Sequence, residues 1–212
     1  MRVLIITHPR SGGRSLSEWI AKELKLKLVH EPFRTKEPEV FINSVYTEED
    51  IVVKVIYEKL WRRYIDIYDL AKRFDKVILH VRKNDKDVAI SMIYQLLNPQ
   101  KGGYEEPNWH KVYQIDDEWM TRNQNMINKE LAWIEKSRVE IETLKMDSLS
   151  TTYENIYENT DDISRLMEFL NIKESYHLDV LDKRHRLKNG DVGMSDYIDN
   201  SPPPVEPPRT LI

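Results

Sequence analysis

The sequence contains no cysteine, which excludes disulfides, thiolate metal sites and a cysteine nucleophile, and fits a reducing compartment. It has no run approaching the roughly 18 apolar residues of a membrane span, and no charged-then-apolar leader pattern before the strand-like run that starts at Arg2. A cytoplasmic protein without a membrane partner is therefore expected. Positive charge is not in excess either: 32 Lys and Arg stand against 36 Asp and Glu, a net charge of -4. A general phosphate-backbone binder needs a net basic face, so no nucleic-acid partner is expected. The histidines, at 8, 30, 80, 110, 177 and 185, show no H-x-x-x-H or comparable ligand spacing, and no metal site is expected. There is no internal repeat.

The composition is that of an ordinary globular domain, with 40% hydrophobic and 32% charged residues over 212 positions. That length suits one α/β core. The proline-rich end, SPPPVEPPRTL at 201–211, reads as an extended tail, leaving residues 1–200 as the domain and 201–212 outside it. Short apolar runs, RVLIIT at 2–7, KLVH at 27–30, DIVVKVI at 50–56 and KVILHV at 76–81, predict strands. Amphipathic stretches lie between them, from about Ser15 to Leu24, and over Leu60, Tyr64, Ile67, Tyr68 and Ala71. A helix beginning at Asp85 or Asp87, one from Glu118 to Glu135, a further strand at VEIETL 139–144, and a helix from Asp161 or Asp162 through Leu170 complete the pattern. Such alternation predicts a three-layer α/β/α fold with a mostly parallel sheet of about five strands. Residues 98–117 break it and read as a long loop, of the kind that often forms a lid or an acceptor-binding element.

The first strand runs directly into HPRSGGRSL at 8–16. A strand-to-helix turn presents unsatisfied backbone N–H groups and the positive end of a helix dipole, which suits an anion. Gly12 and Gly13 let the backbone approach closely, Ser11 and Ser15 offer hydroxyls, and Arg10 and Arg14 bring planar donor forks that match phosphate or sulfate oxygens. A nucleotide-kinase P-loop overlays poorly. His8 stands where the first glycine belongs, Arg14 where the lysine belongs, and no later strand ends in a magnesium-organising aspartate.

The loop resembles the 5′-phosphosulfate motif of sulfotransferases that use 3′-phosphoadenosine 5′-phosphosulfate (PAPS), typically P-[KR]-S-G-[TS]-T. PRSG at 9–12 matches it; Gly13, Arg14 and Ser15 depart from its continuation. RKNDKDVAIS at 82–91 resembles the same family's 3′-phosphate motif, in which a basic residue closing a strand and a serine on the next helix clamp the 3′-phosphate of the product PAP. Counting back from Ser91, Lys83 falls where many relatives have arginine, and Arg82 where the bacterial trehalose-type enzymes carry the first of two. Both remain candidates. HRLKNGDVG at 185–193 is similar to the family's R-K-G-x-x-G closing segment, with Lys188 in the arginine's place, Gly190 and Gly193 at the glycine spacing, and Arg186 as a further cation.

The resemblance implies sulfuryl transfer from PAPS to a hydroxyl of a carbohydrate or other small acceptor, with no metal. Arg10 takes the family's place beside the bridging oxygen where charge develops. Lys54 lies in the nearest analogue of a K-T-H sequence and is a sulfate-binding candidate. Glu31, in VHEPF, matches the glutamate of the trehalose-type and several carbohydrate enzymes and is read as general base, a role that needs burial to raise its ordinary pKa of about 4. His30 is the alternative base. Tyr104, Trp109, Tyr113 and Trp119 are candidates for a sugar-stacking surface or for packing of the long loop. A P-loop kinase and a non-catalytic nucleotide-binding module are the other two readings. The acceptor and the oligomeric state are not specified by the sequence.

Overall fold

The computed structural model describes residues 1–34, 45–97 and 117–181. Five strands form one all-parallel sheet: β1 (Arg2–Thr7), β2 (Lys27–His30), β3 (Ile51–Ile56), β4 (Lys76–Val81) and β5 (Leu149–Thr152). Their spatial order is β2-β3-β1-β4-β5, so the chain goes from β1 to one edge at β2, returns to β3 beside β1, and then crosses to β4 and β5 on the other side. In a sheet wound this way, ligands bind beyond the carboxyl ends of the strands, near the point where the winding reverses.

The runs of β1, β3 and β4 become strands because they are buried on both faces, as parallel strands require, whereas the edge strand β2 buries only Val29. Every residue of β3 is buried. Along β1 the side chains alternate between two cores. Leu4 and Ile6 join Val53, Val55, Leu60 and Leu70 on one face, while Val3 and Ile5 join Leu16, Trp19 and Ile20 on the other.

The helices that frame the sheet include α1 (Gly13–Leu24), α2 (Tyr57–Trp61), α3 (Ile67–Ala71), α4 (Asp85–Leu97), α5 (Asp117–Glu142), α6 (Tyr153–Tyr157) and α7 (Asp161–Phe169). The single stripe expected over 60–71 is in fact two short helices. Tyr64 between them has a positive φ of 55° and is 98% exposed, and Asp66 restarts the helix by accepting hydrogen bonds from the Tyr68 and Asp69 amides.

VEIETL at 139–144 is not a strand. Its first four residues are the last turn of α5, because Ile141 continues a seven-residue spacing with Ile127 and Ile134, all three buried. The guanidinium of Arg138 reinforces the helix by gripping both carboxylate oxygens of Asp85 at 2.9 and 3.0 Å, joining α5 to the start of α4. The fifth strand comes instead from LSTT at 149–152, a mostly polar run with Thr151 turned inward. Trp119 packs with Val88, Ile93 and Ile127 between α4 and α5, so this aromatic belongs to a core and not to a sugar-stacking surface. Tyr104, Trp109 and Tyr113 lie outside the described residues.

Candidate functional site

The carboxyl edge of the sheet gathers most of the candidates. β1 ends in the loop His8–Gly12, and α1 starts at Gly13 with its first-turn amides unpaired within the helix. Two backbone features make that turn. Arg10 and Gly12 both have positive φ, 59° and 83°. Gly12 also has no room for a side chain, since a Cβ there would come within 2.8 Å of both the Tyr153 and Tyr157 rings. Tyr157 donates its hydroxyl to the Gly12 carbonyl at 2.8 Å, so α6 braces the loop from behind. Gly12→Ala is expected to cost about 1–2 kcal/mol for the left-handed backbone and a further 1–3 kcal/mol or so for displacing the two rings. Urea denaturation would measure the sum.

Arg10 reaches out of the loop and donates Nε–H to the Ser91 hydroxyl on α4 at 2.9 Å. Two motifs 81 residues apart in sequence thus touch. Burial, and then the neighbouring charge of Arg82, push the Arg10 guanidinium down to about 10, with Glu31 opposing the shift.

Arg82, just past the end of β4, is 4% exposed. It stacks on the Tyr153 ring at 4.7 Å and pairs through Nη2 with Asp87, while Nε and Nη1 are buried without a hydrogen-bond partner. Such orphaned charged donors are costly unless something accepts from them. Lys83, by contrast, is exposed, and its amide and that of Asn84 donate to the Glu154 carboxylate at 3.0 and 3.1 Å. Of the two candidate basic residues, Arg82 is the buried one. The cationic arginines at 10 and 82 and the hydroxyl of Ser91 therefore share one wall.

The opposite side is built on β2 and β3. Glu31 follows β2 with a positive φ of 52° and continues the ladder by donating its amide to the Lys54 carbonyl at 2.8 Å. Its carboxylate accepts from Lys54 Nζ at 2.6 Å, with both side chains buried. Lys54 also passes beneath the start of α1: a Cβ on Gly13 would lie 3.3 Å from its Cε and 2.6 Å from Thr7 Cγ2. His30 Nε2 lies 3.8 Å from the same Glu31 oxygen. Burial, helped by the Lys54 charge, lowers His30 to about 4, so its ring is neutral near pH 7.

Two solved sulfotransferases are similar to the chain. The mouse sulfotransferase SULT7A1, complexed with PAP, shares 16% identity over 87% of this chain and 64% of its own, with a TM-score of 0.49. The sulfotransferase domain from the curacin biosynthetic pathway shares 16% identity over 83% and 75% respectively, with a TM-score of 0.45. The chain spans less than two thirds of the mouse protein's length. No family model matches it, and no curated protein does.

Ser11, Ser15 and Arg14 lie within the loop and α1. Ser11 is buried and donates its hydroxyl to the His8 carbonyl at 2.9 Å, closing the turn from within. Ser15 is buried at the start of α1. Arg14 runs along α1 to Glu18, with Nε 2.8 Å from its carboxylate. Arg186, Lys188 and Gly190 lie outside the described residues, as does the tail at 201–212. No cluster of three His, Cys, Asp or Glu residues that could hold a metal ion occurs among the described residues, and no described helix is long and apolar enough to cross a membrane. Sequence reasoning missed His8, His80, Tyr153 and Tyr157. All four act through contacts across the sheet edge, which no local pattern signals.

Proposed function

We propose that the protein is a sulfotransferase that carries a sulfuryl group from PAPS to a hydroxyl of a small acceptor, with a carbohydrate favoured by the resemblance around Glu31. The observation that carries this is the joining of two anion-binding elements: the loop's Arg10 meets Ser91, and beside them Arg82 holds two buried nitrogens with nothing to accept from them. A ligand with one anionic group is served by a loop alone. A second buried cation with vacant donors, set beside the first loop, suits a nucleotide that bears separate anionic groups at its 5′ and 3′ ends. The residues present fit such a donor.

PAPS supplies the activated sulfuryl group and leaves as PAP. The chain's work is positioning and charge stabilisation. The amides at the start of α1 and the guanidinium of Arg10 would hold the 5′ end, where negative charge develops as the bond to sulfur breaks. Arg82 and Ser91 would hold the 3′-phosphate. Glu31 would take the proton of the acceptor hydroxyl as its oxygen attacks sulfur, with Lys54 fixing the carboxylate's direction by its 2.6 Å hydrogen bond. His30, neutral near pH 7, lies 3.8 Å from the same Glu31 oxygen.

Ligand-dependent melting is the direct test. PAP is expected to raise Tm, and at about 100 times Kd the added stability would be about 2.7 kcal/mol. ATP with magnesium should leave Tm unchanged; the reverse result would favour a kinase. Stabilisation by PAP with no sulfuryl transfer to any member of a broad acceptor panel would favour a binding module.

A further inference from the structure

Beneath the loop lie two buried histidines that the scheme above leaves without a role. His80 on β4 is fully buried. Its Nε2 is 2.7 Å from the Ser11 carbonyl oxygen and its Nδ1 is 2.9 Å from Thr151 Oγ1 on β5. A carbonyl can only accept, so Nε2 carries the proton, and the neutral ring takes the Thr151 hydroxyl at Nδ1. Burial lowers His80 to about 4, which keeps that one tautomer near neutral pH. His8 has the opposite arrangement. Its Nε2 accepts the Arg82 amide at 2.8 Å, leaving Nδ1 to donate to the Pro9 carbonyl at 2.9 Å. Both ends of the turn are thereby tied to β4, one of them through the backbone of Arg82.

The bond at Ser11 has a directional consequence. No peptide bond among the described residues is cis, and in a trans peptide the carbonyl and the following N–H point in opposite directions. A Ser11 carbonyl drawn down onto the His80 ring therefore turns the Gly12 N–H away from the core, toward the open side of the loop. Gly12 has φ of 83°, a conformation in which glycine's neighbouring peptides reorient at little steric cost, so without this bond the sequence leaves the plane free to flip. Tyr157 acts on the next plane in the same way, holding the Gly12 carbonyl.

We propose that His80 is a positioning residue: by donating Nε2–H to the Ser11 carbonyl it sets the Ser11–Gly12 peptide so that the Gly12 amide faces the anion of the donor. The proposal rests on the PAPS reading, and the anion concerned is the 5′ end. Glutamine at position 80 places its amide nitrogen near the site of imidazole Nε2, whereas asparagine reaches only as far as Nδ1. His80→Gln should thus retain PAP affinity to within about threefold, and His80→Asn and His80→Leu should each weaken it by about tenfold or more, the equivalent of one lost hydrogen bond to a charged group. A merely structural role would make affinity follow the unliganded Tm, so both are measured. Affinity lost in His80→Asn and restored in His80→Gln, at similar Tm, supports the proposal. A wild-type chain that ignores PAP would overturn the donor reading; a wild-type chain that binds PAP, with folded His80→Asn binding it equally, would overturn the positioning role alone. The ring's nitrogen chemical shifts give a readout that needs no ligand: a proton on Nε2 is expected, and one on Nδ1 contradicts the clamp.

Discussion

Glu31→Gln is expected to lower sulfuryl-transfer turnover by about 10²- to 10⁴-fold, the usual contribution of a positioned general base, while PAP affinity stays as in wild type. The separation follows from the geometry. Glu31 stands at the end of β2, where its carboxylate accepts from Lys54 at 2.6 Å, and its charge acts on Arg10 less than burial and Arg82 do. Glutamine retains an oxygen that can accept from that ammonium, so the site keeps its shape and loses the basic atom. Truncation to alanine would be less informative, because it strands a buried lysine at a cost of about 3–5 kcal/mol and mixes stability with catalysis. Rates from a donor-saturated assay, read beside PAP titrations, decide the matter. Turnover within a few-fold of wild type in Glu31→Gln would transfer the role of base to His30, and His30→Gln would then carry the large loss.

Arg82→Met should weaken PAP by about 10²- to 10⁴-fold, since two charge-assisted hydrogen bonds at about 1.5–3 kcal/mol each are withdrawn, whereas Lys83→Ala should change it only a few-fold. The pair discriminates because the two residues are adjacent in sequence and opposite in environment: Arg82 is buried with Nε and Nη1 lacking acceptors, and Lys83 is exposed. Methionine keeps the length and an apolar contact to Tyr153 while removing the charge and its cation–π contact. Asp87, the partner left behind, is 37% exposed and can be solvated, and Arg10 loses a like-charged neighbour, so a large loss of fold stability is not expected. Isothermal titration of both variants tests this. Equal affinities would mean that the 3′ anchor lies elsewhere, and comparable losses would make both residues part of it.

Much of this architecture is legible locally. The first four strands are short apolar runs bounded by turn residues, and HPRSGGRSL announces a strand-to-helix anion turn through its glycines and arginines. VEIETL carries β-branched residues at alternate positions and reads as a strand, yet the seven-residue spacing of Ile127, Ile134 and Ile141 and the Arg138–Asp85 pair keep α5 helical to Glu142. Tertiary burial outweighs a propensity of a few tenths of a kcal/mol per residue. LSTT was missed as β5 because an edge strand with polar side chains has no hydrophobic period to detect.

The same division runs through the site. By itself the sequence determined which groups are available, namely a glycine-containing loop rich in cations, a glutamate closing the second strand, and a basic pair before a helix bearing Ser91, since residue type and strand-end position are local properties. Only the tertiary structure decided that Arg82 is buried and Lys83 exposed, that Glu31 is bound to Lys54, and that the Ser11 and Gly12 carbonyls are held by His80 and Tyr157. Those outcomes depend on which strand lies beside which, and in the order β2-β3-β1-β4-β5 the decisive partners are separated by 23 to 145 residues of chain.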